Sequence, residues 1–265
     1  MNLLITGAAS GIAACIAELA VKQGHRVIAA DLDEAALQSR WQHTSAVVCI
    51  KLDVRSQDSW LQLLAQLDEQ DCPVDVLINV AGVLRSGRAG ELQLGDIELM
   101  LDVNVKGVIL GTNAVAASMI ARGYAGHIIN IGSLASLYPT PGTSIYATSK
   151  YAVRGFSIAA AGDLKPYGIA VSLVGPGPVK TAMLEQQRGD EKAALTFSGA
   201  RALEPEEVAQ AVLGPVMRTR PLERFIPWHE GVMGKLCSIA PGLFLRIAKG
   251  AAERGKKHFN ADSYR

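Results

Sequence analysis

Short runs of Val, Ile and Leu alternate along this chain with stretches whose apolar residues recur every three to four positions. The runs fall at residues 2–6, 26–30, 46–52, 74–80, 126–131 and 169–174. The periodic stretches fall between and after them, at 12–23, 34–42, 56–68, 95–122, 146–167 and 206–217. Strands that alternate with helices must return to the sheet in the same direction, so the pattern predicts parallel βαβ units. Continuous rather than alternating apolar runs mean that both faces of the sheet are covered. The expected fold class is therefore α/β, a doubly wound parallel sheet with helices on both faces. No low-complexity linker or repeat interrupts it, which makes residues 1–265 one domain. Residues 183–203 depart from the pattern, being polar and following a Pro/Gly turn. The tail at 224–265 mixes large apolar residues with Pro and Gly.

Composition narrows the function classes. Of 265 residues, 49% are hydrophobic, enough for a sizeable core. Lys and Arg number 26 against 25 Asp and Glu, so no electrostatic footprint for nucleic acid exists. Aromatic residues make up 5%, too few for a base-stacking platform. Cys15, Cys49, Cys72 and Cys237 are dispersed, with no CxxC pair and no Cys/His cluster at metal-ligand spacing. That suits a reduced, cytoplasmic protein without a metal site. The uncharged first seventeen residues lack the basic start of a signal peptide and are broken by Gly7, Ser10 and Gly11. Residues 126–149 lack charge but hold two prolines, so no transmembrane segment is expected there.

Three local patterns carry chemistry. Gly7, Ser10, Gly11 and Ile12 lie between the first strand and the first helix. Glycines there allow a tight turn and let a phosphate approach the backbone at a helix N-terminus. The same spacing also arises from helix packing. Asp31 follows the second strand, 24 residues past Gly7. A carboxylate there can accept both ribose hydroxyls of adenosine and repels a 2′-phosphate. No Lys or Arg stands at 8–10 or 32, so NAD is favoured over NADP. A helix N-cap is the competing role for Asp31. Tyr146 and Lys150 stand four apart on one helix face, where an ammonium stabilises a phenolate and so draws the tyrosine pKa down. Ser133 follows the fifth strand, at the carboxyl end where such sheets hold ligands, although a turn or capping role would also place a serine there.

Together these residues resemble the short-chain dehydrogenase/reductase family in its single-domain form. The matching pieces are Thr6-Gly7 to Ala13, Asp53-Val54, Asn79 to Gly82, Asn104, Ser133, Tyr146 with Lys150, and Pro176-Gly177 to Thr181. They run in the family's order from residue 1 to about 215. Val80 departs from the family's more usual Asn, and Ala13 from a third glycine. The resemblance implies a Rossmann-like sheet and a role for each matching residue. Tyr146 would be the acid/base, Ser133 would hydrogen-bond the substrate oxygen, and Lys150 would hold the nicotinamide ribose. Asn104 would organise a water that links Lys150 to solvent. Asp53 and Val54 would flank adenine, Asn79, Ala81 and Gly82 would support the cofactor face, and Pro176, Val179 and Thr181 would anchor the carboxamide end.

The expected activity is NAD-dependent interconversion of a secondary alcohol and a ketone. Because Ser133, Tyr146 and Lys150 are all present, an enzyme is favoured over a catalytically silent nucleotide sensor of the same fold. Leu134, Leu137, Tyr138, Met183, Leu184 and Phe197 suggest an apolar, steroid- or lipid-like small-molecule substrate. Residues 183–203 are expected to form a mobile lid. The resemblance further implies a homodimer or homotetramer built on the helices around 96–122 and 146–167.

Overall fold

The apolar runs become one parallel sheet. The computed structural model describes residues 1–138, 140–259 and 264. Its strands are β1 (Asn2–Thr6), β2 (Arg26–Asp31), β3 (Val47–Lys51), β4 (Val76–Asn79), β5 (His127–Ile131), β6 (Ala170–Pro176) and β7 (Glu223–Ile226), in the order β3-β2-β1-β4-β5-β6-β7. All six pairings are parallel. The first six strands lie where the apolar runs predict them. β7 is an addition, because Glu-Arg-Phe-Ile is not an apolar run and only Phe225 of it is buried. The helices are α1 (Gly11–Lys22), α2 (Glu34–Trp41), α3 (Gln57–Glu69), α4 (Leu94–Leu101), α5 (Gly107–Ala121), α6 (Ser144–Leu164), α7 (Ala182–Glu185), α8 (Pro205–Ala211), α9 (Met217–Thr219), α10 (Trp228–Ile239) and α11 (Pro241–His258).

Alternate strand residues feed two cores, one on each face of the sheet. Leu3, Ile5, Val27, Ala29 and Ile78 pack with Ala13, Ala17 and Ala20 of α1 and Val208 of α8. Alanines on α1 let its backbone lie close to the strands. On the other face Leu4, Ile28, Leu77 and Ile128 meet Trp60, Leu63 and Leu67 of α3 and Val115 and Met119 of α5. Trp60 is fully buried, and its Nε1 donates to the Val54 carbonyl at 3.0 Å. Gly111 makes room for the indole, since a Cβ there would stand 2.5 Å from the ring.

Among the described residues two π turns interrupt the helical layers. Residues 95–122 are not one α-helix: the five-residue π turn Asp102–Lys106, which carries Asn104, separates α4 from α5. Period counting passes over such a turn because it is a single widened turn inside an otherwise helical run. The second π turn, Val212–Val216, contains Pro215, which has no N–H to continue the α ladder after α8. The stretch Leu94–Ala121 is long and apolar enough to cross a membrane, but α5 uses much of that apolar surface against the sheet.

Candidate active site

Strands β1 and β4 are neighbours, yet the chain leaves them in opposite directions along the sheet. Their carboxyl ends therefore open a crevice, the usual ligand position in doubly wound sheets. Gly7 at φ +77° and Gly11 at φ +58° shape the turn beside it. A Cβ on Gly7 would press within 3.1 Å of the Ala81 backbone, and one on Gly11 would stand 3.5 Å from the Thr181 methyl. The turn thus brings Gly7, Ala81, Gly11 and Thr181 together. Ser10 is the N-cap of α1 but makes no side-chain capping bond, so first-turn N–H groups stay available to an anion. Ile12 lines the cavity beside them.

Asp31 closes β2 with one carboxylate oxygen 3.0 Å from the Ala9 N–H of the glycine turn and the other 3.1 Å from the Asp33 N–H. The N-cap of α2 is Asp33, whose side chain accepts from the Ala36 N–H at 3.0 Å. The capping role considered for Asp31 thus belongs to its neighbour. Asp53 accepts both prongs of the Arg55 guanidinium at 2.8 Å, which holds its carboxyl below the usual range. Val54 packs its side chain on Gly107. Asn79 turns away from the crevice: its Nδ2 donates to Asn130 Oδ1 at 2.9 Å, deep in the sheet. Asn79 ties β4 to β5, Ala81 lies against Gly7, and Val80 and Gly82 line the cavity. Residues Pro176, Val179 and Thr181 line the cavity beyond β6.

At the chemical end, α6 carries Tyr146 and Lys150 one turn apart, and Ser133 caps the 3-10 turn Leu134–Ser136 that follows β5. Ser133 Oγ accepts from the Ala135 N–H at 3.1 Å and is hydrogen-bonded to the Tyr146 phenol. Burial pushes the Tyr146 pKa up, and the Ser133 bond pulls it down. Lys150 is buried, donates to the Ile131 carbonyl at 3.0 Å, and places its ammonium 5.6 Å from the Tyr146 ring centre. Desolvation lowers its pKa to about 8. The Lys150 ammonium thus bonds a backbone carbonyl while standing beside the Tyr146 ring. Asn104 is fully buried in the π turn. Its Oδ1 accepts from the Val83 N–H at 2.8 Å, and its Nδ2 donates to the Val83 carbonyl at 2.9 Å and Ser149 Oγ at 3.1 Å. A Cβ on Gly82 would stand 3.3 Å from Asn104 Oδ1 and 3.8 Å from Lys150 Nζ, so these three residues converge.

Gly82, Ser133, Tyr146 and Lys150 line a cavity of about 410 Å³. Its outer wall comes from segments that carry no recognisable motif. Residues Glu230, Met233 and Cys237 of α10 and Phe244 of α11 line it beside Leu134, Tyr138 and Met183. Phe244 packs on Tyr138 with ring centres 5.2 Å apart. Thr6, part of the glycine motif but given no role from it, is a further site residue: its Oγ1 accepts from the Val80 and Ala81 N–H groups at 3.0 and 3.1 Å, fixing the turn after β4 against β1. Its place directly before Gly7 was the available signal. Residues 183–203 form α7, the 3-10 helix Glu191–Phe197 and their connections, and they are packed under α11.

The family model for short chain dehydrogenase matches residues 1–192. The chain is 37% identical over 217 residues to the NADP-dependent 3-hydroxy acid dehydrogenase of Escherichia coli (strain K12), covering 80% of this chain and 87% of that protein. It is 32% identical to the cyclopentanol dehydrogenase of Comamonas sp. (strain NCIMB 9872), with the same 80% and 87% coverage. Among solved structures, the closed form of serine dehydrogenase complexed with NADP+ superposes with a TM-score of 0.76 at 34% identity, over 85% of this chain and 94% of that one. The chain belongs to the short-chain dehydrogenase/reductase family. It is an oxidoreductase of CH–OH groups with a single Rossmann-like domain.

Proposed function

We propose that this protein interconverts a neutral, largely apolar secondary alcohol and its ketone, using NAD. The observation that carries the chemistry is the meeting of Ser133, Tyr146 and Lys150 on the floor of one cavity. When bound, the nicotinamide supplies or accepts the hydride. The crevice fits such a group, with its two left-handed glycines, the uncapped start of α1 and the carboxylate of Asp31. Oxidation needs a base on the hydroxyl oxygen. Tyr146 takes that proton, Ser133 orients the same oxygen, and the Lys150 ammonium favours the phenolate once it turns from Ile131. Asn104 holds the turn against which Lys150 sits. The apolar wall of α10, α11 and residues 183–203 excludes water from the reacting atoms.

Asp31 supports NAD. Its carboxylate stands against the glycine turn, where a 2′-phosphate would meet a like charge. The 3-hydroxy acid dehydrogenase is NADP-dependent and the serine dehydrogenase structure holds NADP+, so kcat/KM with each dinucleotide on one alcohol decides the matter. A preference for NAD is expected, and Asp31→Ala should shift the ratio toward NADP; an NADP preference in the unaltered protein would sink the reading. For the substrate, the cavity's outer cations are already engaged. Lys192 lies 3.4 Å from Glu91, and Arg201 is bidentate to Glu207 at 2.6 and 2.7 Å. Half-buried Glu230 faces the same space with its pKa raised by desolvation. A hydroxy acid would meet that carboxylate and no free cation at this wall. A panel of cyclic alcohols and 3-hydroxy acids tests this, with faster turnover of the alcohols expected.

A further inference from the structure

We propose that α10 and α11 form a docking face for an anionic lipid surface. Twenty large apolar residues are exposed among the described residues, and eight of them lie within positions 228–247. On α10, Trp228, Val232, Leu236 and Ile239 recur at i, i+4, i+8 and i+11, which places them on one face. They are 68, 51, 57 and 80% exposed, and Lys235, i+7 from Trp228, lies beside them on the same face. On α11, Leu243 and Ile247, one turn apart on one face, are each 61% exposed. Isolated apolar residues on a surface are ordinary, whereas a contiguous patch marks an interaction site.

Charge identifies the partner. Residues 228–258 hold six Lys and Arg against two Glu, while the rest of the chain is net −3. Arg246, Lys249, Arg254 and Lys257 are exposed on α11, and none is in an ion pair among the described residues. A two-fold pairing of this face with a second copy would set net +4 against net +4. An anionic bilayer surface instead meets both halves of the pattern: the interface accepts Trp, Leu and Ile, and the headgroups attract the basic residues. Met233 is 61% exposed and also lines the cavity, so the docking face and the wall over the site share a helix. The proposal does not depend on which alcohol is oxidised.

Flotation of the full chain with vesicles tests it. The chain should float with phosphatidylcholine vesicles containing phosphatidylglycerol, less with phosphatidylcholine alone, and less again at high salt. The double variant Trp228→Ser/Ile239→Ser should reduce the bound fraction about tenfold or more, since two large apolar side chains leave the interface. Neither residue lines the cavity, so turnover in solution should stay unchanged. Arg254→Glu/Lys257→Glu should erase the preference for the anionic vesicles. If the first variant melts early, Val232→Ser/Leu236→Ser gives the same readout. Failure to float with anionic vesicles, equal binding to neutral ones, or a solution oligomer that falls apart on Trp228→Ser/Ile239→Ser would overturn the proposal, the last in favour of a second copy.

Discussion

Tyr146 sits with its phenol against Ser133 in a desolvated place, so its ring packs independently of the proton it carries. Tyr146→Phe should keep that packing and remove the relay. Turnover is expected to fall about a thousandfold, with dinucleotide affinity by fluorescence titration nearly unchanged; a variant that still turned over at the original rate would remove Tyr146 from the chemistry. Glu230→Gln should raise kcat/KM for a 3-hydroxy acid relative to a neutral alcohol, because the half-buried carboxylate leaves the wall. His127 matters for stability instead. It is buried at the start of β5 with Nε2 2.9 Å from Ser172 Oγ, and desolvation lowers its pKa to about 4. The unfolded chain takes up that proton near pH 6.5, while the folded chain resists until about 4. As pH falls through this window the unfolded state gains, and stability drops by about 3 kcal/mol. Urea melts at pH 7 and 4.5 should show a smaller drop for His127→Gln than for the unaltered protein. The candidate catalytic residues Ser133, Tyr146 and Lys150 were legible in the sequence because their order and spacing are a pattern local to the chain. Asn79 was not, for the opposite reason: nothing local tells that Asn130 and Thr112 will be within its reach.

Elements were legible where packing follows local periodicity. α3 shows its buried stripe of Trp60, Leu63 and Leu67 plainly. The π turn at Asn104, strand β7 and the pairing of α11 with residues 191–197 were not, because each depends on contacts distant in the chain. That last pairing is tight. A Cβ on Gly255 would stand 1.8 Å from the Ala194 carbonyl oxygen, and His258 Nδ1 lies 3.0 Å from the Phe197 carbonyl. Lys256 reaches Glu191 at 3.1 Å. The expected lid is thus held from outside by a helix rather than left as an isolated loop, and we propose that the two open together. Amide exchange in 191–197 and 244–258 should slow in parallel when dinucleotide and a substrate analogue bind. Gly255→Val should uncouple them, leaving 191–197 exchanging rapidly in both states. Protection of 191–197 that did not respond to ligand would make it plain scaffold.

The outward faces of α5 and α6 carry Ile109, Ile120, Tyr151 and Ile158, each more than a third exposed. We propose that these helices pair across a two-fold axis. Sedimentation should show a dimer or tetramer at micromolar concentration, and Ile109→Asp/Ile158→Asp should shift it to monomer; a monomeric unaltered chain would rule the pairing out. The strand order has a different consequence, one for synthesis. Each of β2, β3, β5, β6 and β7 lies beside the strand made just before it, and β4 alone reaches back, to β1. The first 51 residues can therefore zip their three strands before any later strand exists. After β4 docks, the sheet grows outward in the order in which the ribosome delivers it. The last two helices arrive when everything beneath them is already built, so a chain that stalls near residue 220 exposes β6 as a raw edge, and its fate is aggregation or proteolysis rather than slow catalysis.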